Sequence, residues 1–126
     1  MKALSAKTVK LTIGRDWETP YLHILLTQEE DVVVARCLDF TVSSHGQNEN
    51  QAIEALAEAI GEYIQSAIEN DSIGPIYDPA YGKYWRMFNE EVAKDTGKQL
   101  AKSLRKSLRT LKEENFRDFG IKISYA

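Results

Sequence analysis

Polar and apolar residues alternate from Thr8 to Ile13, with Val9, Leu11 and Ile13 on one side, and the alternation resumes from Tyr21 to Thr27 after a break at Gly14–Pro20. A period of two belongs to strands, whose side chains point to opposite faces in turn. The pattern predicts a strand, a loop and a second strand. In the second, Leu22, Ile24 and Leu26 share one face while Tyr21, His23 and Leu25 share the other, which predicts burial on one face and partial cover on the second. The acidic turn Gln28-Glu29-Glu30-Asp31 reverses the chain into Asp31–Leu38, whose β-branched residues predict an antiparallel hairpin partner. A short strand around Thr41–Ser44 continues the meander, and Gly46 stops it.

From Asn48 the period switches to 3.6. Ile53, Leu56, Ile60, Tyr63, Ile64 and Ala67 form one stripe, and Glu49, Glu54, Glu58, Glu62 and Glu69 lie largely outside it, as in an amphipathic helix laid on a core. Asn48 is placed to cap this helix, Gln51 stands three residues on in capping-box spacing, and Glu49 in the first turn complements the helix dipole. Asn70-Asp71-Ser72 and then Gly74-Pro75 end it. Ile73–Tyr84 holds two prolines, two glycines and three tyrosines and reads as an ordered connection that packs aromatics against the core. A second helical stretch begins near Lys83, with Trp85, Phe88 and Val92 at helical spacing, and Asp95-Thr96-Gly97 interrupts or restarts it. Leu100, Leu104, Leu108 and Leu111 then form an apolar stripe. Gly120–Ser124 alternates again, suggesting a closing strand.

The segment Arg36–Ile64 resembles the HicB family of antitoxin-like proteins. There a hairpin leads through a Cys-Leu-acid-apolar segment and a Ser-x-Gly turn into a helix with a threonine-like cap and an Ala-apolar pair. Here those positions read Cys37, Leu38, Asp39, Phe40, Val42, Ser44, Gly46, Asn48, Ala52 and Ile53. With the preceding strand, the resemblance covers Tyr21 to about Ile68. It implies an α+β fold like a truncated ribonuclease H domain without the nuclease carboxylates. It also implies a protein that blocks a small messenger-RNA-cleaving toxin, usually with a separate DNA-binding segment. Ile73–Ala126 shows neither a ribbon-helix-helix nor a helix-turn-helix pattern.

The residue demands of that segment also have a physical reading. A glycine at 46 permits a backbone angle that β-branched residues avoid, the cap satisfies helix amides, and Ala52 allows a helix to lie close on a sheet. The fold expected is α+β: an antiparallel sheet of three to four strands with a helix on one face, in residues 1–72, and a helical extension packed on the same core in residues 73–126. Such an open sheet leaves an edge and an uncovered face, which predicts a dimer.

The chain has 126 residues, 43% hydrophobic and 28% charged, the balance of a globular domain with a single core. No apolar run approaches the roughly 20 residues of a spanning helix, and MKALSAKTVK lacks the apolar stretch of a secretory signal. A cytoplasmic location is expected. The only cysteine, Cys37, lies in an apolar run and reads as a small buried hydrophobe. The net charge of −3 hides an asymmetry: Lys94, Lys98, Lys102, Arg105, Lys106, Arg109 and Lys112 face one acid, Asp95, giving +6 there and −9 elsewhere.

Candidate chemistry is sparse. Asp16, Glu18, Asp31 and Asp39 qualify as nuclease carboxylates only by type, because a hydrolytic metal needs acids that converge. His23 and His45 are too few for a metal cluster, and Ser43-Ser44-His45 is adjacency rather than a nucleophile with a base. Trp17, Trp85, Tyr77, Tyr81 and Tyr84 can stack bases or anchor a partner, though packing explains them as well. Lys98, Lys102, Arg105 and Arg109 are the candidate nucleic-acid contacts, against an ordinary solvated face or pairing with the acids of the 48–69 helix.

The function expected is non-enzymatic: a HicB-like binding protein that neutralises or regulates a small RNA-cleaving toxin, or an orphan member of that group. No cofactor and no metal are predicted. One alternative is a nucleic-acid-binding regulator acting through the basic helix, with DNA as partner. The other is a ribonuclease H-like nuclease.

Overall fold

A computed structural model describes residues 1–113 and 120–125. The elements are β1 (Lys2–Val9), β2 (Thr12–Ile13), β3 (Trp17–Glu18), β4 (Leu22–Glu29), β5 (Val32–Cys37), β6 (Val42–Gly46), α1 (Glu49–Glu69) and α2 (Gly82–Glu113). Four strands form an antiparallel sheet in the order β1-β4-β5-β6, and β2 and β3 make a separate two-stranded hairpin. The class is α+β, as expected.

Strand alternation decides the two faces of β4 and β5. Ile24 stands opposite Cys37 and Leu26 opposite Ala35, and these residues with Leu22 and Val33 meet Ala52, Leu56, Ile60 and Ile64 of α1 in one cluster. The other face carries Leu25, which joins Leu38 and Phe88 in a second cluster lined by Ala6, Tyr84, Trp85 and Met87. The first turns of α2 therefore cover the second face of the sheet. This removes the uncovered face on which a dimer was expected. Polar side chains on that side are paired: Arg36 bonds Thr27 Oγ1 at 2.9 Å, reaches Glu29 at 3.0 Å and lies over the Tyr84 ring. Among the described residues no buried side-chain polar atom lacks a partner, which is what keeps burial of such groups from being costly.

The N-terminal strand differs from the pattern. It starts at Lys2 and ends at Val9, whereas Thr12 and Ile13 pair with Glu18 and Trp17 across a turn in which Gly14 has φ +71°. Val9, Leu11 and Ile13 all pack on the core, so their alternation records burial rather than one continuous ladder. β4, β5, β6 and α1 lie where the sequence put them to within about two residues, whereas β3 falls in the stretch 14–20 expected to be a loop. Asn48 caps α1 by accepting from the Gln51 amide at 2.9 Å, and Gln51 Oε1 reaches back to the amide of Gln47 at 3.0 Å, one residue before the cap.

Gly46 plays a different part from the one anticipated. Among the described glycines only Gly14 has a positive φ, so backbone freedom is not what position 46 needs. A Cβ there would lie 2.7 Å from the Ala52 nitrogen and 2.8 Å from the Gln51 carbonyl carbon. The end of β6 touches the backbone of the first turns of α1, and only glycine leaves room.

Helix α2 runs without interruption through Asp95-Thr96-Gly97. The chain divides into two compact units, Met1–Ala93 and Lys94–Ala126. Residues 73–93 thus belong with the sheet, and the boundary falls twenty-one residues later than position 72. In the second unit Lys94–Glu113 is helical, and Gly120–Tyr125 carries no strand. A strand needs a neighbour to bond, and alternation alone does not supply one.

Candidate functional site

The first unit carries an apolar groove of about 640 Å³. Its floor is built by Leu22 at the start of β4, Phe40 after β5, and Ile64 on α1. Its rim is formed by Trp17, Tyr21, Ile68, Ile73 and Tyr77, which are 50–63% exposed. That volume is typical of sites that take an apolar group of a partner or ligand. Large apolar and aromatic residues left half in water are the residue types that anchor protein interfaces.

One wall is the connection 73–81, and its position is fixed by hydrogen bonds. The Asp78 amide donates to Asp39 O and the Ala80 amide to Leu38 O, each at 2.9 Å, and the Thr41 hydroxyl donates to Asp78 O. Tyr63 on α1 donates its hydroxyl to Ile76 O at 3.1 Å. The opposite wall follows from the β2–β3 hairpin, whose Thr19 is tied to Leu11 in both directions, amide to carbonyl at 2.9 Å and Leu11 amide to Thr19 Oγ1 at 3.0 Å. The groove is thereby preorganised, which lowers the ordering cost of binding.

Among the described residues Asp39 is the single charged one lining the groove. Its carboxylate accepts the His23 backbone amide at 2.8 Å and lies 3.2 and 3.3 Å from His23 Nδ1. Cys37 Sγ is 3.9 Å away. Cysteine, histidine and carboxylate together have the composition of a nucleophilic site, but their placement is wrong for one. Cys37 points into the α1 core, 1% exposed, and burial pushes its thiol up from 9.0 to about 11, so at neutral pH it holds almost no thiolate. His23 projects from the opposite face of the sheet and packs against the rings of Trp85 at 5.2 Å and Phe88 at 5.5 Å.

The other carboxylates of the sequence reading do not meet. Asp16 lies in the β2–β3 turn, Glu18 ends β3, and Asp31 sits in the β4–β5 turn. Among the described residues no group of three or more His, Cys, Asp and Glu gathers as metal ligands would. His45 is exposed on β6 with Ser43. Of the flagged aromatics, Trp17 and Tyr77 enter the groove, Tyr81 and Tyr84 border a smaller recess of about 300 Å³ beside Arg36, and Trp85 packs beneath the sheet. Arg36 is already held there by Glu29, Thr27 and Tyr84.

Lys98, Lys102, Arg105 and Arg109 all lie on α2, exposed, at spacings of four, three and four residues. That spacing puts them on one helical face. Sequence reasoning missed Ile68 and Ile73, which have no place in the α1 stripe. Their position at the end of an acidic helix, outside its apolar period, was the available signal. No helix of the described residues is long and apolar enough to cross a membrane. No protein-family model, curated protein or solved structure matches the chain.

Proposed function

We propose that this chain is a binding protein without chemistry of its own, which neutralises or regulates a small basic RNA-cleaving toxin, or descends from such a protein without keeping a toxin partner. The groove edged by Trp17, Tyr21 and Tyr77 supports this reading, because it is a prebuilt apolar socket with large side chains half in water at its rim. Charge supports the kind of partner. Residues 1–93 hold seven basic and fifteen acidic residues, a net −8, and α1 has five glutamates and no basic residue. A cationic protein is drawn to such a surface and an anionic one is repelled. The HicB-like residues from Cys37 to Ile53 point to the same partner class.

The test is co-expression with the product of the adjacent reading frame. A small basic toxin co-purifies with the wild-type chain and loses its toxicity. Tyr21→Ala combined with Ile68→Asp abolishes capture while leaving the melting temperature within a few degrees, since both residues are more than half exposed. Failure of the wild-type pair to co-purify would end the toxin reading, and capture unaffected by the double variant would end the role of the groove.

The single basic face on α2 favours a second reading, a nucleic-acid-binding regulator. Four phosphate contacts give a log–log salt slope of roughly −3 to −4 on duplex DNA. Titration at low and raised salt measures it, and absence of binding at low salt removes this reading.

A further inference from the structure

Among the described residues, the distal part of α2 leaves most of its apolar side in water. Leu100, Leu104 and Leu108 are 60%, 49% and 44% exposed, and they form one stripe with Leu111. Most of a helix's stability in a protein comes from packing of its apolar face. The leucines call for a covering surface, and the residues beside them restrict what that surface is. Lys98, Lys102, Arg105, Arg109 and Lys112 follow one another at four, three, four and three residues and run parallel to the leucines.

Three occupants can be compared by charge and polarity. A nucleic-acid backbone matches the cations but leaves the leucines in water. The same helix from a second copy buries the leucines, yet it sets two strips of five cations side by side. An acidic helix with small side chains answers both demands. The chain itself has one: Glu54, Glu58, Glu62, Gln65 and Glu69 recur along α1 at four, four, three and four residues, all exposed, opposite the face that α1 lays on the sheet. The partly exposed Ala55, Ala57, Ala59 and Gly61 flank this strip and let another helix come near.

We propose that the leucine-and-cation face of α2 docks on the acidic outer face of α1 of a second copy. Two copies related by a twofold axis make the contact twice, each giving its α2 and receiving the other's, so the pair closes and does not grow into a chain. The attraction is partly between solvent-exposed charges and weakens with salt.

Sedimentation velocity of the full chain tests this. A concentration-dependent dimer is expected at low salt, with the monomer favoured about tenfold or more at high salt. Leu104→Glu with Leu108→Glu yields monomer, while melting of the sheet domain stays as in the wild type. Glu58→Lys with Glu62→Lys weakens the dimer about tenfold or more, and so does Lys102→Glu with Arg105→Glu. All four reversals together restore it, because the charges are exchanged rather than lost. A chain that stays monomeric at low salt up to high protein concentration overturns the proposal. So does a dimer indifferent to the α1 reversals, or one that the fourfold exchange fails to restore. Tight nucleic-acid binding by a monomeric wild type, lost in the α2 reversal, would assign the face to nucleic acid instead.

Discussion

Replacing Gly46 by alanine probes the contact on which the β6–α1 joint depends. The added methyl would sit 2.7 Å from the Ala52 nitrogen, 2.7 Å from Gln51 Cβ and 2.8 Å from the Gln51 carbonyl carbon. Two of these atoms are helix backbone and have little room to give. The Ala52 amide is bonded to Asn48 O at 3.0 Å, the Gln51 amide is held by the cap, and Ala52 itself is fully buried. Relief therefore means lifting the first turn of α1 from the sheet. Overpacking against such a rigid neighbour costs about 3 kcal/mol, the upper end of the usual range. Loss of unfolded-state entropy on replacing glycine returns up to about 1 kcal/mol. The net loss of about 2 kcal/mol lowers the melting temperature by roughly 8–16 °C for a domain of this size. Gly61→Ala is the matched control. It lies inside α1, and a Cβ there meets nothing within 4 Å, so better helix propensity stabilises it by about 0.5–1 kcal/mol. Thermal and urea melts followed by circular dichroism read both signs. A Gly46→Ala chain as stable as wild type would refute the close-contact account.

Asn48→Ala removes the acceptor of the Gln51 amide and is expected to cost about 1 kcal/mol in a urea melt. Phe88→Ala empties the centre of the second cluster, where Phe88 is 4% exposed, and is expected to cost about 3–5 kcal/mol; a small loss would show that α2 does not seal this face. Cys37 should resist iodoacetamide in the folded state at pH 8 and react once urea unfolds the chain, which a mass-spectrometric time course detects. Its raised folded value of about 11 against 9.0 means that the unfolded chain ionises first. Its contribution is complete below pH 9 and is lost as pH climbs toward 11, so Cys37→Ala is expected to flatten the alkaline limb of a stability-versus-pH curve.

Much of the first unit was legible because its signals are local. Tyr21–Thr27 is a largely apolar run with polar residues at its ends, Asp31–Leu38 is rich in β-branched residues, and the switch of period at Asn48 coincides with a capping residue, so β4, β5 and α1 are found within a residue or two. What stayed hidden depends on partners distant in the chain. Trp85 and Phe88 read as two aromatics at helical spacing, and nothing local says that they seal a sheet face built some sixty residues earlier. Leu11 and Ile13 share a period with Val9, but the pairing of Ile13 with Trp17 ends the strand. Gly97 in a polar stretch looks like a break, yet one glycine without proline costs only about 1 kcal/mol and the helix absorbs it. The groove draws on the hairpin, β4, the turn after β5, the end of α1 and the 73–77 connection. No window of sequence contains it.

Asp39 shows how a residue of a type that suggests chemistry is used in holding the fold together. Its place just beyond β5 lets one carboxylate accept the backbone amide and ring of His23 on the neighbouring strand, while its own carbonyl accepts the Asp78 amide of the connection. A charge-assisted acceptor bonded in this way is strong and directional, so the carboxylate ties the residue to β4 while its backbone carbonyl ties it to the connection. The His23 ring packs on Trp85 and Phe88 on one side of the sheet, and the neighbouring thiol points into the core on the other. The pleat puts His23 and Cys37 on opposite faces, because Ile24 is the residue paired with Cys37, and Asp39 lies beyond the end of β5 within reach of both. Of the three, only Asp39 lines the apolar socket, whose connection wall is held by hydrogen bonds to Asp39, Leu38 and Tyr63.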